Sequence, residues 1–164
     1  MPSTKIIIVH HFPGSLTACL EAVRAFTNRA IPVAVLDLAK CSLEYVNAGH
    51  LAPLHGADGQ PFRYLPQPPG ILVGINPQAE YPSATVSLSP GDQVVLYSDG
   101  VTEAVDRDDG MFGDGRLQEL LTRQRPGSAA ATVRQARDAV QDFAAGCPQS
   151  DDLTLLVLRL EAAP

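Results

Sequence analysis

The chain has no long apolar run, no surplus of basic residues and few cysteines, and each deficit removes a class of function. No stretch approaches the roughly 18 apolar residues that a membrane-spanning helix needs. The opening Met1-Pro-Ser-Thr-Lys-Ile-Ile-Ile-Val-His10 lacks the longer apolar stretch of a secretion signal. No membrane insertion is therefore expected. Twelve Lys and Arg face 18 Asp and Glu, a net charge of −6, and the basic residues are scattered, so nucleic acid and anionic membrane are poor partners. Cys19, Cys41 and Cys147 are odd in number and form no C-x-x-C pair. They suit reduced core thiols in a cytoplasmic protein better than a zinc site or a disulfide framework. There is no internal repeat.

What is present fits one domain, since 164 residues can bury a core without covalent staples. Ser15 reads as a helix cap, with Leu16, Cys19, Leu20, Val23 and Phe26 following at helical spacing. Pro32 ends that helix, because its ring disfavours helical geometry at the preceding residue. Strands are expected at Val33 to Leu38 and Leu43 to Asn47. Leu51 to His55 and Phe62 to Leu65 should form a hairpin about Ala57-Asp58-Gly59. Ala84 to Leu88 and Gln93 to Ser98 read as a further pair about Ser89-Pro90-Gly91-Asp92, and Val101 to Gly113 as an acidic loop. Helices are expected at Gly115 to Arg123 and Ala129 to Ala145, with Gly146 as the stop. Leu153 to Leu160 is almost continuously apolar and reads as a central strand buried on both faces.

Two carboxylate clusters stand where apolar strands meet loops. Asp99 ends the run Gln93-Val-Val-Leu-Tyr-Ser-Asp99-Gly100, and Asp151 heads Ser150-Asp151-Asp152-Leu-Thr-Leu-Leu-Val-Leu158. Strand ends hold side chains in fixed geometry, which suits a hard divalent cation bound through oxygen. A Gly after the Asp lets the backbone approach closely. Taken alone, Asp99-Gly100 is also an ordinary turn, and Asp151-Asp152 is also a solvated loop. A third motif, Asn47-Ala48-Gly49-His50, ends a strand with an imidazole. That group can pass a proton to a leaving group or steady a phosphate, while the plainer reading is a turn histidine bonded to backbone.

Taken in order, Tyr45-Val-Asn-Ala-Gly-His50, Pro90-Gly-Asp-Gln-Val-Val-Leu-Tyr-Ser-Asp-Gly-Val-Thr-Glu103, Phe112-Gly-Asp-Gly-Arg-Leu117 and Ser150-Asp-Asp-Leu-Thr154 carry a resemblance. They resemble the C-terminal two-thirds of bacterial metal-dependent serine/threonine phosphatases of the sporulation stage II protein E type, relatives of protein phosphatase 2C. The resemblance implies an α+β fold, an α/β/β/α sandwich of the metal-dependent phosphatase type. It also implies Mn²⁺ or Mg²⁺ activating a water against phosphoserine or phosphothreonine, with no side chain as the nucleophile. Asp99 and Asp151 match metal-ligand positions. Asp152, Gly100, Gly49 and His50 shape the site, His50 in a mainly structural role. The expected partner is a phosphorylated regulatory protein such as an anti-sigma factor antagonist.

The N-terminal third departs from that pattern. The family supplies an early Gly-Asp and then an Asp-x-x-Gly-His-Gly turn, and this chain has neither. The expectation is a divergent segment over residues 1–32 and the family's C-terminal two-thirds over 33–164, a truncated or degenerate domain incomplete at its N-terminus, with Ile6 to Val9 replacing one strand. Two divalent ions would bring four positive charges against the two negative charges of Asp99 and Asp151, so one ion or none is expected rather than two. The alternative to an enzyme is an inactive pseudophosphatase that binds a regulator, or a gene fragment. A third reading, an aspartate-nucleophile phosphatase of Asp-x-Asp-Gly-Thr type, fails because position 97 is Tyr.

Overall fold

The computed structural model describes residues 7–9, 31–37, 40–71, 76, 78–124, 127–149 and 151–162. The expected helix from Ser15 lies outside them. Among the described residues eight strands form two four-stranded sheets, each belonging to its own compact unit. One unit comprises residues 2–52 and 66–88, the other residues 53–65 and 89–164.

In the first unit β1 (Ile7–Val9), β2 (Ile31–Asp37), β3 (Ser42–Ala48) and β6 (Ala84–Ser87) lie in the order β1-β2-β3-β6. β1 runs parallel to β2, pairing Ile7 with Val33, so the apolar segment before Val9 is indeed a strand. β2 and β3 form a hairpin with Ile31 opposite Ala48 and Asp37 opposite Ser42. The Asp37 carboxylate accepts the Lys40 amide at 3.0 Å, and Cys41 takes a left-handed φ of 48°. Leu43, Tyr45 and Val46 of β3 are buried.

The second unit holds β4 (Leu54–Gly56), β5 (Arg63–Tyr64), β7 (Gln93–Tyr97) and β8 (Leu155–Arg159), in the order β5-β4-β7-β8. The β4–β5 hairpin occurs where the turn residues predict it, with Leu54 opposite Tyr64. All five residues of β7 are buried, because it has β4 on one side and β8 on the other. Among its described residues the unit also has the helices α1 (Asp99–Thr102), α2 (Gly113–Gln124) and α3 (Ala129–Ala144). Ser128 caps α3 by accepting the Ala131 amide, and Ala145 and Gly146 end it in left-handed conformations. Thr132, Ala136 and Val140, spaced four apart, are its buried stripe. Phe112 meets Phe143 edge-to-face at 5.4 Å, and the Arg116 guanidinium stacks 4.8 Å from the Phe143 ring centre.

Three expectations are corrected. β6 and β7 are not a hairpin: β6 pairs with β3 in one sheet and β7 with β4 and β8 in the other. The turn between them does form, with Asp92 N donating to Ser89 O at 3.0 Å. Its outer bonds, Gly91 N to Leu160 O and Leu160 N to Asp92 O, extend the β7–β8 ladder instead. Next, β8 is an edge strand among the described residues, and each of its residues is only half-buried. Its apolar sequence reflects α3 packed against it rather than a second neighbouring strand. Finally, the segment Val101 to Gly113 is more than a loop. It starts inside α1 and is closed by a bridge between Val105 and Met111. The Asp106 carboxylate is used within its own turn, accepting the amides of Asp108 and Gly110 at 2.9 and 2.8 Å.

Asp92 anchors the start of β7. Its side chain is 5% exposed and accepts from His55 Nε2 at 3.0 Å, Ser89 N at 3.0 Å and Asp58 N at 3.2 Å. A carboxylate that has left water is tolerated only when its lone pairs are satisfied in this way. Replacing Asp92 with Ala strands three donors, so stability should fall by on the order of 3 kcal/mol, read as a lower denaturant midpoint with an unchanged slope.

Candidate functional site

The antiparallel pairing of Tyr97 with Leu155 brings the C-terminal end of β7 and the N-terminal end of β8 to one edge of the sheet. Asp99 lies two residues beyond the first end and Asp151 four residues before the second. The structure therefore brings to one edge the two chain segments that carry Asp99 and Asp151, half a hundred positions apart in sequence. Beyond the ladder, Ser98 N donates to Thr154 O at 3.0 Å. Ser98 Oγ donates to Asp152 O at 2.7 Å and accepts from Thr154 N at 2.9 Å.

Gly100 sets how closely the two segments meet. A Cβ at that position would lie 2.5 Å from Asp152 O and 3.0 Å from Asp151 O, both backbone atoms. The sequence reading gave this glycine to the approach of an ion or its waters. Its visible task is to admit the backbone of Asp151 and Asp152.

Each aspartate commits one oxygen locally, Asp99 Oδ1 to Gly100 N at 3.0 Å and Asp151 Oδ1 to Asp152 N at 2.7 Å. Gln149 Nε2 donates to Asp151 O. The Asp99 side chain is exposed at the head of α1, Asp151 is half-buried and Asp152 is exposed. Among the described residues no group of three or more His, Cys, Asp or Glu converges. Two carboxylates on apposed segments are a hard-oxygen donor set of the size with which one Mg²⁺ is commonly held, the rest of the shell being water.

Gly49 and His50 belong to the other unit. Gly49 has a φ of 78°, a left-handed turn that favours glycine. His50 N donates to Asn47 Oδ1 at 2.6 Å, and Asn47 Nδ2 donates back to His50 O at 2.7 Å. His50 Nδ1 lies 3.2 Å from Leu51 O, an arrangement in which that nitrogen is the donor. Gln67 Nε2 also donates to His50 O at 3.2 Å. These bonds make His50 a turn histidine held to backbone.

Tyr97, the residue that excludes the aspartate-nucleophile reading, donates its hydroxyl to Asp114 Oδ1 at 3.0 Å, and Tyr64 donates to Asp114 O at 3.1 Å. Burial pushes the Tyr97 phenol far above its ordinary value, and the neighbouring Tyr64 and Asp114 raise it further. Sequence reasoning passed over Ser98. Its signal was a serine directly before the aspartate in both clusters, Ser98-Asp99 and Ser150-Asp151.

Comparison with known proteins accords with this geometry. A structure of the RsbU and RsbW domains of Rv1364c from Mycobacterium tuberculosis superposes with a TM-score of 0.74 at 24% identity, covering 93% of this chain and 44% of that one. The phosphatase domain of SpoIIE from Bacillus subtilis, presoaked with Mn, gives a TM-score of 0.67 at 13% identity, covering 90% and 66%. The fold is thus the α+β fold of protein phosphatase 2C-type domains. The Stage II sporulation protein E (SpoIIE) family matches residues 19–161, and the chain belongs to that family. Phosphoserine phosphatase RsbU of Bacillus subtilis is 31% identical over 126 residues, covering 75% of this chain and 36% of RsbU. The chain spans 14% to 36% of the length of the curated relatives it matches. No helix among the described residues is long and apolar enough to cross a membrane.

Two outcomes follow. Gly100→Ala should cost about 2 kcal/mol, because the atoms it meets are backbone and cannot swing aside, and thermal unfolding will show it. The raised Tyr97 value gives a pH signature. The unfolded chain starts to lose this proton near 10.0, where the folded chain retains it, so its contribution is complete below that pH and declines above it. Denaturation from pH 8 to 11 should show stability falling at the alkaline end, and Tyr97→Phe should flatten the fall.

Proposed function

We propose that the chain is a metal-dependent phosphoserine/phosphothreonine protein phosphatase domain of bacterial partner-switching signalling. The observation that supports this reading is the seating of Gly100 on the Asp151–Asp152 backbone, with the Asp99 and Asp151 segments at one end of the β7–β8 pair. The names of its relatives add to it, one a phosphoserine phosphatase and another a chain of RsbU and RsbW domains. We read Asp99 and Asp151 as the residues that hold one Mn²⁺ or Mg²⁺. When bound, the cation supplies Lewis acidity for attack of water on a phosphate ester. The chain's own part is placement. α1 presents Asp99, β8 and its leading loop present Asp151, and Asp152 adds negative charge beside them. His50 and Gly49 support their turn and take no part in proton transfer. The substrate is a phosphorylated regulatory protein of the anti-sigma factor antagonist kind, and the compartment is the cytoplasm, as the acidic, C-x-x-C-free composition suggests.

Purified chain given Mn²⁺ and an aryl phosphate should turn it over at least about tenfold faster than an Asp99→Asn, Asp151→Asn double variant. Calorimetric titration with Mn²⁺ should reach one ion per chain. Turnover equal to that of the double variant would reject the enzyme, and chelator-indifferent binding of the phosphoprotein would then favour a pseudophosphatase that docks a regulator.

A further inference from the structure

We infer that Ser98 is a positioning residue: its hydroxyl holds the Asp151 loop against Asp99, and the affinity of the site for a divalent cation depends on that hold. The inference rests on the metal reading above. The β7–β8 ladder ends at Tyr97 and Leu155, and one further backbone bond joins Ser98 N to Thr154 O at 3.0 Å. Past Thr154 the hydroxyl takes over from the ladder. Ser98 Oγ accepts from Thr154 N at 2.9 Å and donates to Asp152 O at 2.7 Å, so one oxygen grips two positions of the opposite segment. The residue after Ser98 is Asp99, and the residue before Asp152 is Asp151. The Ser98–Asp152 bond therefore joins the residues next in sequence to Asp99 and Asp151.

Steric fit cannot replace it. Gly100 sets a limit on approach, but contact at that limit is repulsive and does not draw the segments together. Beyond the backbone bond to Thr154, the attraction comes from the hydroxyl of Ser98, a residue 2% exposed, where a hydrogen bond is stronger than in water. A site with only two carboxylates has few ligands over which to spread error, so its affinity is sensitive to how well those two are held.

The test is calorimetric titration with Mn²⁺ of the whole chain and of Ser98→Ala, Ser98→Thr and Thr132→Val, each at a temperature where it is folded. Thr132 is fully buried and donates to Gln93 Oε1 at 2.7 Å. That bond is at the opposite end of β7, about 13 Å along the strand, so Thr132→Val removes a buried hydroxyl without touching the site. Ser98→Ala should weaken Mn²⁺ binding about tenfold or more, Ser98→Thr should keep it, and Thr132→Val should leave it unchanged even though its melting temperature falls. Affinity of Ser98→Ala equal to wild type, an equal loss in Thr132→Val, or a folded Ser98→Thr no better than Ala overturns the inference while the metal reading stands. A wild-type chain that takes up no Mn²⁺ overturns both. Should Ser98→Ala fail to fold, Ser98→Cys, of similar size but a weak donor, is judged by the same criterion.

Discussion

The antiparallel pairing of β7 with β8 is the constraint on which the rest of the second unit depends. It aligns Gln93 with Arg159 and Tyr97 with Leu155, and so fixes which loops share an end of the sheet. A slip of one residue would turn every side chain of β7 to the opposite face. Further bonds carry the pairing past the strands at both ends. At one end these are the backbone bonds of Gly91 and Asp92 with Leu160. At the other they are the backbone bond from Ser98 N to Thr154 O and the two bonds of the Ser98 hydroxyl.

The two ends differ in their chemistry for a physical reason. Asp92 is enclosed by three donors, His55 Nε2 and the amides of Asp58 and Ser89, so its charge is fully used inside the protein. Asp99 and Asp151 each satisfy one oxygen with the amide of the next residue and stand nearer solvent. A buried carboxylate with a complete set of donors is a structural tie, whereas a more exposed one with an oxygen to spare suits a hard cation. The same residue type thus serves the fold at one end of β7 and, on the proposed reading, would hold a cation at the other.

Much of this was legible in the sequence, for reasons that can be stated residue by residue. The β4–β5 hairpin, the helix α3 that stops at Gly146 and the turn Ser89 to Asp92 follow from local chemistry, and all three form. Fold class and family followed from four motifs in order, a far more specific match than any one of them alone. What failed concerned partners rather than elements. Turn residues at Pro90-Gly91 say that the chain reverses locally but not which strands it then joins, so β6 and β7 were paired wrongly. The run Leu155 to Leu158 reports that apolar cover exists, and α3 supplies it, but hydrophobicity does not count neighbouring strands. Val101 to Gly113 read only as an acidic loop because the sequence does not show the Asp106 carboxylate bonding to amides two and four residues on.

The same distinction explains why Asp99 and Asp151 were visible and Ser98 was not. A carboxylate at a strand end announces a possible ligand by its type. A serine announces nothing until its two partners are known, and both of those, Asp152 O and Thr154 N, are backbone atoms that carry no residue identity. Gly100 belongs with Ser98 in this respect, since the atoms that forbid it a side chain are also backbone. The residues that bear charge can therefore be read from a motif, while those that place the charge emerge only from the fold. In this chain the placing is shared by one hydroxyl that draws the two segments together and one missing side chain that lets them meet.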